Sequence, residues 1–395
     1  MTAVVQFNPF APEFYQDPYS VYKRLREQAP ALWVEKLGGW VISRYPDVKN
    51  AQQDSKMYSN AFFNDVAFGE YYPVPKEEAL NINSCDPPDH TRIRRLVARA
   101  FTPGVINALE PKIKDVIDLL LDGLEGRHEI RFMEDLAEPF PVSVVAAMLG
   151  LDVSRRREFI TWTEAVVSAS SRAAMSPEQL AEVRRCSDAM RDYIGAAIAD
   201  RRKSPTDDLL SVMVKAEEDD VLSSGEVLSA AVLLFLGGGE TTTNLLGNAL
   251  VQLIKDPALE RRIREDRSLI NGFIEEALRF NAPAQIGFKQ AMVDIPIGDV
   301  IIKSGQIVMP LIGSANRDEQ AFPNADDFDI TRNNAGHLAF GHGIHFCIGA
   351  GLSRLEARVF FNELFDRYPT IESLNAPVWR DSFWTRRPVE LELKV

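Results

Sequence analysis

Cysteine and histidine are scarce in this chain. Of 395 residues, three are cysteine and five are histidine. So small and odd a set, Cys85, Cys186 and Cys347, excludes a disulfide framework and suits a reducing cytoplasm. Long apolar runs are missing too. The most apolar stretch, AAVLLFLGGG at 230–239, stops at Glu240 and is too short for a bilayer. The first residues, MTAVVQFNPFAPEF, have no basic segment leading into an apolar one, so no signal peptide is expected. Positive charge is in deficit: 44 Lys and Arg face 57 Asp and Glu, a net charge of −13. That balance weighs against nucleic acid and against an anionic membrane surface as partners. Repeats, low-complexity tracts and dividing linkers are absent. A single domain over 1–395 is the simplest organisation.

What is present is mostly helical periodicity. Asp17-Pro18 reads as an N-cap with proline at the first helical position. Residues 31–45 read as a short β-hairpin, and 56–88 as a long irregular loop rich in aromatics. Helices dominate from 89 to about 280. Short β segments follow from 285 to 313, then coil from 314 to 348. A final amphipathic helix at 349–367 carries Leu352, Leu355, Val359 and Leu364 on one side. The fold class is therefore mostly α with a smaller β-rich portion.

Two places break ordinary rules. Ser223-x-x-Glu226 is a capping box opening a helix that runs to about residue 254. Its first third, VLSAAVLLFL, is apolar nearly all round, so it is expected to be buried. Then comes GGGETTTN at 237–244, at a propensity cost of roughly 3–5 kcal/mol relative to alanines. Either the helix ends there or it opens locally, letting a flat ligand approach and offering Glu240 and Thr241 side by side as a proton relay. The second place is FGHGIHFCIG at 340–349. Four of the eight histidines and cysteines lie between 337 and 347. Three readings stand: a buried cysteine in a glycine-rich turn, a zinc site from His337, His342, His345 and Cys347, or a thiolate favoured by the following helix N-terminus.

Together these segments resemble the cytochrome P-450 family of haem-thiolate monooxygenases, of the soluble bacterial type. FGHGIHFCIG matches the cysteine-ligand loop at Phe340, Gly343, His345, Cys347 and Gly349. GGGETT matches the oxygen-activating stretch of the central helix, at Glu240 and Thr241. Glu276-Ala277-Leu278-Arg279 matches the E-x-x-R pair, with Arg332 as the third member and Arg317 as an alternative. DPPDHTRIRRLVARAFTP at 86–103 matches the helix whose His90 and Arg94 meet the haem propionates. Taken alone, the last two windows read more readily as surface ion pairs.

The resemblance implies a P-450 fold with haem b (iron protoporphyrin IX) between the central helix and the cysteine loop. Cys347 is the implied iron ligand, and thiolate ligation favours O–O cleavage. His345 is implied at a propionate, and Lys289 too, where the family often has arginine or histidine. His337 and His342 are left as loop and surface residues. Glu240 and Thr241 imply proton delivery to bound O2, and favour electron-fed over peroxide-driven chemistry. Electrons are expected from a separate ferredoxin or flavodoxin, docked through Arg92, Arg95, Arg99 and Arg354. The implied substrate is a hydrophobic small molecule, with Phe62, Phe63, Leu233, Leu236, Gln285 and Phe383 lining its pocket. A monomer is expected. A haem sensor has no use for Glu240-Thr241, and a zinc protein leaves the E-x-x-R pair unexplained.

Overall fold

The computed structural model describes residues 7–75, 80–218 and 222–395. The caps written in the sequence are used. Asp17 accepts the Tyr19 N–H at 3.0 Å and opens Pro18–Gln28. Ser223 and Glu226 exchange two bonds, at 2.8 and 3.2 Å, and open the central helix.

The expected hairpin forms as β1 (Ala31–Val34) and β2 (Gly39–Ile42). It joins β3 (Tyr58–Ser59), β4 (Lys289–Ala291) and β5 (Ile307–Pro310) in a five-stranded sheet of order β1-β2-β5-β4-β3. Only β2 and β5 pair in parallel. The stretch read as irregular thus contributes an edge strand, and also a short helix at Phe63–Ala67. Residues 76–79 of that stretch lie outside the described residues.

Among the described residues, helices α1 (Asp89–Val97), α2 (Pro139–Met148), α5 (Ser224–Lys255), α6 (Ile270–Phe280) and α7 (Ala350–Arg367) line the site, and α3 (Arg156–Ser168) and α4 (Pro177–Lys203) pack behind α5. Near the C-terminus, β6 (Val378–Trp379) and β7 (Pro388–Glu390) form an antiparallel hairpin. Helix α5 packs on α2, α3, α4, α6 and α7. Its N-terminal half, with Val227, Ala231 and Phe235, sits in one apolar core. Its C-terminal half, with Leu245, Leu246 and Leu250, sits in another. The glycine–threonine segment lies at the junction of the two.

Neither expectation for that segment holds. The helix neither ends nor opens; α5 is continuous through 237–244. Tertiary packing overrides propensity here. A Cβ on Gly238 would lie 2.4 Å from a Val145 methyl, and one on Gly239 would lie 2.9 Å from Val142. These two glycines let α2 approach α5 closely. Only at Gly237 is the space beside Cα open, toward a cavity.

Candidate active site

A cavity of about 320 Å³ opens between α5 and the loop leading into α7. Gly237, Thr241 and Thr242 form one wall, and Cys347, Ile348 and Leu352 another. Leu233, Leu234, Pro283 and Ala284 make it largely apolar. Thr241 Oγ donates back to Gly237 O at 2.7 Å. Its hydroxyl is thereby held at the cavity wall within an intact helix.

The cysteine loop is folded by its own backbone. Cys347 N–H donates to Phe340 O at 2.8 Å, closing a turn in which Gly341 and Gly343 have φ of +74° and +72°. A Cβ on Gly343 would also strike the 52–53 backbone at 2.9 Å. Arg354 lies over the Phe340 ring at 4.5 Å, and its Nε donates to Glu275 at 2.5 Å. Cys347 is exposed to the cavity, with protein packed densely around its other sides. Burial pushes its thiol pKa up; the Gly349 N–H, Arg94 and Arg354 pull it down. Gly349 caps α7, so the sulfur lies beside a helix N-terminus.

The zinc alternative fails. His337 Nε2 meets Glu275 at 3.1 Å, and His345 Nδ1 meets Ile82 O at 3.0 Å. Among the described residues no three His, Cys, Asp or Glu side chains cluster as metal ligands. His337 is also no surface residue; it is buried, bracing α6 against the loop.

Four basic side chains gather by the cavity, and two of them, Arg94 and His345, line it. The His90 and His345 rings are 4.3 Å apart, and Arg94 reaches the Phe346 carbonyl. Lys289 is buried nearby, and burial pushes its pKa down to about 8, with Asp86 opposing. Lys289 and His90 in turn depress His345, after burial, to about 2. Both His90 Nε2 and His345 Nε2 are buried without a partner. A buried basic cluster with unused nitrogens needs an anion. The two carboxylates of a haem fit that requirement, and the adjacent thiol fits its iron.

Glu276 and Arg279 are both fully buried and doubly bonded to each other at 2.7 Å. Arg332, not Arg317, completes the group, with Nε 3.3 Å from Glu276. Arg317 instead stacks on Tyr19 and Phe280.

Several expected contacts are not made. Glu240 lies beside Thr241 in the chain but not in space. Successive helical residues project about 100° apart, and Glu240 turns away from the cavity to Arg380 Nη1 at 2.5 Å. Gln285 does not hang over the cavity; its Nε2 bonds Ala282 O at 2.7 Å. Phe63 packs on Phe68 and Phe288, and Phe383 on Phe10. Phe62 is largely exposed, and Leu236 faces the core. Of the six expected lining residues, only Leu233 lines this cavity. Arg92 is bound to Glu226 and Arg354 to Glu275, which leaves Arg95 and Arg99 exposed on this side.

One group escaped the sequence reading. Glu356 of α7 lines the cavity, and burial raises its carboxyl well above the usual range, opposed by Thr242. Thr242 Oγ and Ser353 Oγ are 3.1 Å apart beside it. The signal was available, because 356 falls on the same helical face as Leu352 and Val359.

A thiol at a helix N-terminus, facing a glycine-bearing helix across a cavity edged with unsatisfied bases, describes a haem-thiolate protein. The comparisons agree. The family profile for cytochrome P450 matches residues 10–377. Cytochrome P450 107B1 of Saccharopolyspora erythraea is 38% identical over 392 residues, covering 95% of each chain. The structure of CYP109Q5 from Chondromyces apiculatus superposes with a TM-score of 0.89 at 37% identity, covering 98% of this chain and 97% of that one. That of CYP109E1 from Bacillus megaterium in complex with testosterone gives 0.88 at 31% identity, covering 97% and 99%. The chain belongs to the cytochrome P450 family. It is a monooxygenase, and the family implies haem, O2, a redox partner and a small-molecule substrate. Among the described residues no helix is long and apolar enough to cross a membrane.

Proposed function

We propose that the whole chain acts as one P450 domain holding haem b, with Cys347 as iron ligand and His90, Arg94, Lys289 and His345 about the propionates. The observation carrying this is the pair of orphaned imidazole nitrogens beside Arg94 and Lys289, at the edge of the cavity that Cys347 faces. Haem supplies the reductive activation of O2, with one oxygen atom going to substrate and the other to water.

The chain's own residues position and protonate. Thr241 presents a hydroxyl at the cavity wall. Glu240, once its bond to Arg380 is released, is the acid that brings protons to it. Glu356, kept neutral by burial, holds a second proton beside Thr242. Glu276, Arg279 and Arg332 fix the coil before the cysteine loop. The apolar walls exclude water and favour a hydrophobic small molecule, through hydroxylation, epoxidation or oxidative dealkylation. The testosterone complex of a relative supports a polycyclic ligand. Electrons come from a ferredoxin or flavodoxin, for which the exposed Arg95 and Arg99 supply positive charge. The sparse free cysteines suit a cytoplasmic protein.

A panel of steroids, macrolides and fatty acids, scored by spin-state change in the haem spectrum, tests the substrate class. Polycyclic apolar compounds are expected to shift it; a response confined to charged ligands contradicts the reading. Thr241→Ala is expected to keep haem but divert electrons to hydrogen peroxide. Coupling equal to the parent's refutes the role given to Thr241.

A further inference from the structure

A second chamber, of about 110 Å³, lies between the end of α3 and the loop that joins β6 to β7. It shares no lining residue with the catalytic cavity. Val167 and Met175 give it an apolar floor, Ser170 and Ser171 supply hydroxyls, and Arg380 and Asp381 face them. These polar groups are largely unspent. Among the described residues, neither the Ser170 nor the Ser171 side chain bonds a protein group, and Arg380 commits only Nη1, to Glu240. Its Nε and Nη2 remain free to donate. The volume holds several waters or one small ring.

The chamber is braced on both sides. Arg172 donates to the carbonyls of Asp65, Val66, Ala67 and Ala169 at 3.1–3.2 Å, which pins the 169–174 turn carrying the serines. Opposite, the Arg380 N–H donates to Arg387 O at 3.0 Å, and the Trp384 and Thr385 N–H groups donate to Ser382 Oγ at 3.2 and 3.1 Å. The same loop also backs the catalytic cavity. Thr385 pairs with Ala284, and the Arg386 N–H donates to Pro283 O at 3.0 Å; Pro283 and Ala284 line that cavity. Ser382 lines the chamber, and its three-residue step to Thr385 spans at most about 11 Å. The charges select the occupant. A carboxylate would meet Asp381, and an ammonium would meet Arg380. A neutral group with several hydroxyls avoids both, accepts from Arg380, exchanges hydrogen bonds with the serines and lays its C–H face on the apolar floor.

We propose that this chamber receives a neutral, hydroxyl-bearing ring of glycosyl size, carried by the substrate whose apolar body fills the catalytic cavity. Ser170 and Ser171 are then specificity-determining residues, and Asp381 excludes acidic conjugates. Binding involves no covalent step. The proposal rests on the reading above of a hydrophobic polycyclic substrate, and adds that this body bears a hydroxylated ring.

The test is equilibrium dialysis of the haem-loaded protein against testosterone, its β-D-glucoside and its glucuronide. The parent should bind the glucoside about tenfold tighter than testosterone, as two neutral hydrogen bonds allow. The doubly substituted Ser170→Ala/Ser171→Ala protein should lose most of that preference and hold testosterone within about twofold of the parent. The glucuronide, which adds a carboxylate, should bind the parent more weakly than the glucoside and recover in Asp381→Asn. The reduced carbon-monoxide spectrum should stay as in the parent in both variants. If the parent binds testosterone but holds the glucoside no tighter, the chamber proposal alone is wrong. It is equally wrong if the serine variant weakens both compounds alike. If neither compound binds a protein whose carbon-monoxide spectrum is intact, the polycyclic reading fails and this proposal with it.

Discussion

Two buried charge clusters flank the cysteine loop, and they differ in whether they close. In the Glu276 cluster, Arg279 donates five hydrogen bonds, two to Glu276 and three to the carbonyls of Asn316, Ala325 and Asp327. Those are all the donors a guanidinium has. Glu276 in turn accepts from Arg332 and from the Asp329 N–H. In the His90 cluster, two imidazole nitrogens go unused beside the buried Lys289. A cluster that satisfies itself holds the chain together. A cluster that leaves buried nitrogens unsatisfied is built for something outside the chain.

Substitutions should separate the two. Arg279→Ala leaves Glu276 buried and unpaired and should cost about 3–5 kcal/mol of stability by denaturant titration. Loss of under 1 kcal/mol would mean that the closed cluster is dispensable. The paired change Arg94→Ala/His345→Ala should leave folding of the haem-free protein near the parent's. It should weaken haem binding by about tenfold to a hundredfold per charge-assisted bond lost. Equal haem affinity would remove both from the cofactor site.

Lys289 sharpens the contrast through pH. Its folded pKa, about 8, lies below the unfolded value, because burial disfavours the charged form. Between pH 8 and about 10.4 the unfolded chain binds the extra proton, so the haem-free protein should gain stability as pH rises through that window. Haem carboxylates need the charged lysine, so haem affinity should fall over the same window. Lys289→Met should flatten both trends. The smallest effect is expected at Glu356. Burial raises its carboxyl well above the usual range, which favours the neutral acid, so Glu356→Gln should change stability by less than about 1 kcal/mol. A large pH-dependent loss would show that it is ionised.

Much of this was legible in sequence. The caps at Asp17 and Ser223 located helices, and the spacing of Phe340, His345, Cys347 and Gly349 located the site. What escaped depends on contacts across long stretches of chain or on helical rotation. Glu240 and Thr241 adjoin in sequence, yet project about 100° apart on α5, and Arg380, 140 residues on, binds the acid away from the cavity. The aromatics of 62–72 are hydrophobic enough for a ligand pocket, but Phe63, Phe68, Phe288 and Trp384 satisfy one another. The three glycines look like a broken helix until the Val142 and Val145 side chains of α2 are seen against them.

The central claim is that Cys347 is the iron ligand in a haem site completed by the open basic cluster. The visible spectrum of the reduced protein under carbon monoxide tests it most directly. A strongly red-shifted Soret band in the parent, lost in Cys347→Ala, is the predicted result. A colourless protein, or a red-shifted band that survives Cys347→Ala, would contradict it.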